Sequence, residues 1–200
     1  MKKMKFIGFY DYTVILTYLS LASAVSGMVL ATRCQYTAAF LCLFLSGFLD
    51  AFDGIVARSK KGRTQEEKEF GIQIDSLVDV IAFGVFPGVL CYCMGDGRIW
   101  SIACSLLYVL CAVIRLAFFN VLESQRQKSE GGCNKFYRGL PVTTASIVLP
   151  IFYILHFFIS EALFATLFPI LLAVLAVLFV LDFSMRKPNW LKIITFGLKK

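Results

Sequence analysis

Charged residues are scarce in this chain. Only 16% of its 200 positions are Asp, Glu, Lys or Arg and 58% are hydrophobic, whereas a soluble domain carries roughly 25% charged residues. With a mean hydropathy of +0.76, an ordinary water-soluble domain is excluded. Histidine is almost absent: His156 stands alone in an apolar run with no matching carboxylate, and is expected to pack or to hydrogen-bond between helices. The seven cysteines, Cys34, Cys42, Cys91, Cys93, Cys104, Cys111 and Cys133, include no C-x-x-C pair. They read as small polarizable packing residues, not as a zinc or redox framework. Internal repeats and low-complexity tracts are missing as well. The basic opening Met1-Lys2-Lys3-Met4-Lys5 is interrupted by Gly8-Phe9-Tyr10-Asp11-Tyr12 and followed by no clear small-residue cleavage pattern, so the first apolar run is expected to be retained.

What the chain does have is long apolar runs. A helix needs about 20 residues to cross a bilayer core, and six runs qualify: approximately Val14–Ala31, Thr37–Val56, Ile74–Cys93, Ile99–Leu122, Val142–Ile159 and Ala162–Phe183. The expected fold is all-α, a polytopic membrane bundle of six transmembrane helices forming a single domain over residues 1–200. Pro87 falls inside the third run, where a kink is expected. Basic residues set the orientation, because Lys and Arg accumulate in short cytoplasmic loops. Seventeen of the 20 fall at the N-terminus, in the 57–73 and 123–141 loops, and at the C-terminus. Both termini are therefore expected on the cytoplasmic side of the cell membrane. The net charge of +7 is spread along loop rims instead of gathered on one module, which favours anionic membrane lipids as partners and argues against nucleic acid.

Against this background four aspartates crowd one short stretch: Asp50 and Asp53 at the end of the second run, Asp75 and Asp79 at the start of the third. Spacings of three and four put each pair on one helix face. The second helix descends and the third returns, so both pairs are expected at the same depth on the cytoplasmic side. Charges in or beside hydrocarbon need compensation. One reading is helix-end aspartates paired with nearby Lys and Arg; the other is a hard-cation site of four carboxylates, holding one divalent ion or two. Asp50 and Asp53 lie toward a helix C-terminus, where the macrodipole disfavours negative charge, which favours the cation. Gly47, Ala51, Gly54 and Ala57 add small residues along the second helix, permitting close approach of a backbone or ligand. Such a site beside a hydrocarbon wall suits a substrate with a phosphate head and a lipid tail. One of its carboxylates could take a proton from an attacking hydroxyl.

At these residues the sequence resembles the CDP-alcohol phosphotransferase family, whose signature is Asp-x-x-Asp-Gly-x-x-Ala-Arg followed after a spacer by Gly-x-x-x-Asp-x-x-x-Asp. Asp50, Asp53, Gly54, Ala57, Arg58, Gly71, Asp75 and Asp79 occupy every fixed position. The resemblance implies transfer of a phosphate-containing group from a CDP-linked donor, usually CDP-diacylglycerol, to an alcohol with release of CMP. It implies Asp50, Asp53 and Asp75 as ligands of a divalent pair, Mg2+ or Mn2+. Asp79 would be a ligand that also acts as general base. Gly54 and Ala57 would leave room for the cytidine, Arg58 and Gly71 would line the nucleotide and pyrophosphate pocket, and the protein would be a homodimer. One departure stands out: the spacer Ser59–Phe70 is longer than the family's usual one, and is expected to form an enlarged solvent loop. The stretch Glu123 to Arg138, with Gly131-Gly132, is expected to be the longest flexible connection.

The runs Asp75 to Pro87 and Phe136-Tyr137-Arg138-Gly139-Leu140-Pro141 resemble the phosphatidylserine synthase branch, which makes L-serine the expected acceptor. Ala82 and Val142-Thr143 depart from that branch, and glycerol 3-phosphate or inositol phosphate remain alternatives. Serine's carboxylate calls for a cation near the metals. Arg115, inside the fourth run, is one candidate and Arg138 the second, each set against a snorkelling or loop role; Asn120 adds polarity nearby. A divalent-cation transporter is the reading from another class, but transport acids usually lie near the midplane or along both half-paths, not at one face.

Overall fold

In a computed structural model the chain is a bundle of helices, and the structure describes residues 8–9, 12–60, 62, 64–95, 98–128 and 136–186, with the backbone alone for 57–59, 123, 125–128, 136–138 and 184–186. In order come α1 (Ile15–Thr32), α2 (Tyr36–Ser59), α3 (Gln65–Asp79), a π-helical segment (Val80–Val85), α4 (Phe86–Met94), α5 (Ile99–Lys128), α6 (Ala145–Tyr153) and α7 (Glu161–Val180). Among the described residues five helices are long and apolar enough to cross a membrane: Tyr12–Thr32, Tyr36–Val56, Gln65–Met94, Ile99–Leu122 and Glu161–Val180. The expected fifth span is a shorter apolar helix, Val142–Phe157. It consists of α6, interrupted by Pro150, between 3-10 turns at Val142–Thr144 and Ile154–Phe157.

The outside of the bundle is apolar, unlike that of a soluble protein, and its largely apolar interior includes several small polar side chains. Leu19, Val29, Leu41, Phe48, Leu106, Phe158 and Val174 are exposed, whereas Thr13, Thr17, Ser20, Ser46, Ser101 and Ser146 are buried. Lipid tails solvate the outer side chains as well as a protein core would, so cohesion comes from close packing and interhelical hydrogen bonds. The α1–α2 hairpin displays this directly. Thr13, Thr17, Ser20, Ala24, Gly27 and Ala31 form its buried stripe; the Ser20 and Ser46 hydroxyls bond at 2.7 Å, and Ser23 Oγ donates to the Cys42 carbonyl at 2.9 Å. A Cβ on Gly27 would collide with the Phe86 ring of α4, and one on Gly47 with the Ser146 hydroxyl. Of the small residues in the second helix, Gly47 thus serves packing against α6.

Two expectations need correction. First, the polar segment after α2 is not a large solvent loop, because α3 begins at Gln65, nine residues before the expected span. Thr64 and Glu67 close a capping box there: Thr64 Oγ1 accepts from the Glu67 N–H at 3.2 Å, and Glu67 Oε2 accepts from the Thr64 N–H at 3.0 Å. Lys60 Nζ adds an ion pair to Glu67 at 3.2 Å. These contacts satisfy orphan backbone donors and start the helix early, so much of the spacer lies in additional helical turns. Second, the connection expected over 123–138 is helical at its start and extended at its end: α5 runs on to Lys128, and Phe136–Arg138 (β1) pairs antiparallel with Ser184–Arg186 (β2), Tyr137 opposite Met185, while 129–135, with Gly131-Gly132, lie outside the described residues. Among the described residues the regular structure is thus helical apart from one three-residue ladder. Gly139 follows with φ +72°, and a Cβ there would sit 2.9 Å from the Leu181 carbonyl oxygen, so the chain leaves the ladder at a position suited to glycine.

The irregularity expected at Pro87 takes a particular form. The expected kink takes the form of a π-helical widening, Val80–Val85, immediately before α4. Proline has no N–H, and its ring crowds the carbonyl four residues back; here that carbonyl belongs to Phe83. The hydroxyl of Tyr108 on α5 donates to it at 2.7 Å.

The small-residue contacts carry a measurable consequence. Gly47→Leu is expected to lower stability by about 1–3 kcal/mol through overpacking against α6, measured as a reduced unfolding midpoint of the purified protein in detergent.

Candidate metal centre

The acidic site is assembled by the turn from α2 into α3. Asp50 and Asp53 lie three residues apart in the last turns of α2, and Asp75 and Asp79 four apart toward the end of α3, where Asp79 is buried. The candidate ligand oxygens of Asp50, Asp75 and Asp79 all lie within 4.8 Å of one another. Asp53 adjoins the same group, its side chain within hydrogen-bonding reach of Asp75, and Asp50 stands in the same relation to Asp79. Each of the four carboxylates is in electrostatic range of the other three. The two pairs therefore meet at one depth, as their spacing predicts.

Electrostatics decides what such a group needs. Two like charges 4 Å apart repel by about 4 kcal/mol at an effective dielectric of 20. Three such contacts rival the whole folding free energy of a typical domain. Among the described residues no Lys or Arg makes an ion pair with any of these aspartates, so the helix-end pairing alternative finds no support there. Asp75 Oδ1 is buried without a hydrogen-bond partner among the described residues. An all-oxygen donor set with an orphaned buried oxygen fits a hard divalent cation. Mg2+ bonds of about 2.1 Å put opposite ligands about 4.2 Å apart, so a modest side-chain adjustment brings the three carboxylates into range.

Two supporting contacts were not singled out by residue type. Thr17 Oγ1, on the polar stripe of α1, donates to Asp53 Oδ2 at 3.0 Å. Its signal was the series Thr13, Thr17, Ser20, an otherwise unexplained polar line in an apolar helix. Ser76, between the aspartates of α3, donates to Asn120 Oδ1 on α5 at 2.8 Å, which fastens the acidic helix to the C-terminal part of α5 and puts Asn120 beside the site.

The remaining candidates divide. Gly54 and Gly71 sit half-buried on the two acidic helices. The side chains of Ala57 and Arg58 lie outside the described residues, as does that of Arg138, whose backbone is in β1. Arg115 is buried, donates from Nε to the Leu140 carbonyl at 3.3 Å and lies 5.9 Å from the Phe119 ring centroid. It lines a cavity of about 210 Å³ with Ile114, Phe118, Phe179, Leu181 and Asp182. In this position it anchors the junction between the ladder and α6. His156 packs among Tyr153, Phe157 and Phe164, in keeping with the packing role expected of it. No disulfide links the six described cysteines.

A membrane bundle carrying a carboxylate centre at the junction of its second and third spans defines the class of protein, and sequence comparison identifies the family. A sequence model of the CDP-alcohol phosphatidyltransferase family matches residues 13–181; the chain belongs to this family. It is 35% identical over 159 residues to an archaetidylserine synthase of Methanothermobacter thermautotrophicus, covering 79% of this chain and 64% of that protein. It is 34% identical over 113 residues to a CDP-diacylglycerol–serine O-phosphatidyltransferase of Saccharomyces cerevisiae, covering 56% and 40%. A Helicobacter pylori protein of the latter name is 32% identical over 193 residues, covering 92% and 74%. The chain thus spans less than two thirds of the length of the archaeal and yeast relatives.

The Thr17 contact predicts a change in metal binding. Thr17→Val, which keeps the shape but removes the donor to Asp53, is expected to weaken Mn2+ binding roughly 10-fold. Electron paramagnetic resonance of free Mn2+ during titration of the purified protein reads this out.

Proposed function

We propose that this protein is a CDP-diacylglycerol–serine O-phosphatidyltransferase, making phosphatidylserine and CMP at a membrane surface. The observation that carries the reading is the group of carboxylates from α2 and α3, close together, without an ion pair among the described residues and with one orphaned oxygen, in a chain of this family. The printed names of the archaeal, yeast and bacterial relatives support serine as the acceptor over glycerol 3-phosphate or inositol phosphate. Residues 1–200 act in this reading as one membrane domain.

Asp50, Asp53, Asp75 and Asp79 hold the divalent metal, Mg2+ or Mn2+, as two ions. When bound, the metal neutralises the pyrophosphate of CDP-diacylglycerol and stabilises the departing CMP. Asp79, the buried member of the group, takes the proton from the serine hydroxyl. The hydroxyl oxygen forms its bond to the diacylglycerol-bearing phosphorus, and the bond from that phosphorus to the CMP oxygen breaks. Gly54 and Ala57 make room for the cytidine, while Arg58 and Gly71 line the nucleotide and pyrophosphate pocket. Arg115 or Arg138 meets the serine carboxylate; the place of Arg115 beside Leu140 and its cavity supports that role. Basic residues concentrated at the loops flanking the acidic end support cytoplasmic termini and a cytoplasmic-facing site in the cell membrane. The exposed apolar faces permit a homodimer.

The test is direct. Purified protein with Mn2+ or Mg2+ and CDP-diacylglycerol is expected to release CMP only when L-serine is added, and Asp79→Asn is expected to lower kcat roughly 100-fold or more. CMP release that depends on glycerol 3-phosphate or inositol phosphate instead would reassign the acceptor; Mn2+ uptake into proteoliposomes without CDP-lipid would favour a transporter.

A further inference from the structure

The third span is where the acidic site and the rest of the bundle are joined, and it is not a regular helix. Asp79 is the last residue of α3, and the π-helical segment Val80–Val85 begins at the next residue. Upstream of that segment the helix presents Asp75 and Asp79 to α2. Downstream, Phe86 of α4 packs into the space left by Gly27 of α1. Each π turn takes in one residue more than an α turn, and one residue of α-helix corresponds to about 100° of rotation. The π segment therefore sets the azimuth of the two aspartates relative to the packed half of the span. Relaxed to α geometry, with α4 held by its neighbours, it would swing the acidic face away from Asp50.

What holds the segment open is legible in three residues. Pro87 cannot donate to the Phe83 carbonyl, and its ring crowds that oxygen. Tyr108, from the middle of α5, supplies a hydrogen bond in place of the missing N–H, its hydroxyl donating to Phe83 O at 2.7 Å. Both residues are fully buried. The Tyr108 ring packs on Phe179 of α7 with centroids 5.4 Å apart, and Gly84 and Gly88 let α5 approach the segment closely, with Ala112 and Val109 against them. A phenol enclosed in hydrocarbon seeks a partner, and a buried carbonyl deprived of one is costly. The two requirements meet in one bond.

We propose that Tyr108 is a positioning residue for the acidic centre: by bonding the carbonyl that Pro87 leaves open, it holds the π-helical turn that aims Asp79 and Asp75 at Asp50. The inference rests on the reading that these carboxylates bind a divalent ion. Tyr108 touches neither substrate nor metal; it acts through the backbone of the span.

The test uses the full chain in detergent and Mn2+ alone, without CDP-lipid, with binding followed by electron paramagnetic resonance and the fold by circular dichroism. Tyr108→Phe keeps the ring against Phe179 and removes only the hydroxyl. It is expected to weaken Mn2+ binding about 5- to 10-fold with helical content unchanged, and to lower kcat more than it raises the KM for CDP-diacylglycerol. In a Pro87→Ala background residue 87 regains an N–H able to reach the Phe83 carbonyl, so there the same substitution is expected to change Mn2+ binding by less than about 2-fold. This second pair also decides the matter should Y108F alone fail to fold. Unchanged Mn2+ binding in Y108F overturns the inference. So does an equal loss in both backgrounds, which would make Tyr108 a packing residue only. Failure of the unsubstituted protein to bind Mn2+ is a distinct result: it removes the metal reading itself and this inference with it.

Discussion

Carboxylates crowded at the edge of a hydrocarbon layer repel one another, and the rest of the bundle is arranged around that repulsion. Asp50, Asp75 and Asp79 converge within a few ångströms, and Asp53 stands against them. Nothing in apolar packing rewards such an arrangement. It persists because two helices joined by a short connection must run side by side and because interhelical hydrogen bonds hold them; a hard cation bound there would convert the repulsion into coordination. Thr17 on α1 and the Ser76–Asn120 pair between α3 and α5 connect the acidic helices to their neighbours through polar contacts, the kind of adhesion a lipid environment leaves effective.

The same logic explains the interior. Helices whose outer faces are solvated by lipid gain little from burying more apolar surface, so glycine, alanine and serine bring them close around a core of Phe and Leu side chains. The α1–α2 hairpin interlocks by Ser20 with Ser46 and by Ser23 with the Cys42 carbonyl, and α4 reaches α1 because Gly27 has no side chain in the path of Phe86. Irregular backbone is tolerated where another element satisfies it. The π-helical segment before Pro87 has Tyr108, and the Gly139–Leu140 junction after β1 has Arg115.

Much of this was legible before any fold was known. Apolar runs mark six helices, because a bilayer imposes a length on each; that the fifth is a shorter one came only from the structure. Asp spacings of three and four, on helices running in opposite directions, mark a convergent site. Other features were legible in principle and escaped notice. Thr64-x-x-Glu67 is a capping-box pattern, yet the high polarity of its surroundings reads as loop. Thr17 sits on a polar stripe whose partner only the packing of α1 on α2 identifies. The short β1–β2 ladder joins segments nearly fifty residues apart, and no local pattern foretells such a pairing.

By itself, then, the sequence determined the membrane class, the number of helical runs, and which residue types would gather at the acidic end, since all of these follow from local periodicity and the price of charge in hydrocarbon. Tertiary structure alone decided which oxygens come within reach of one another, that Arg115 holds the Leu140 carbonyl, and that the crowding around Pro87 is resolved by a π turn closed from α5. Those outcomes depend on close contacts between residues far apart in the chain, and a hydrogen bond such as Tyr108 to Phe83 exists only once two helices have settled at the separation their small residues permit.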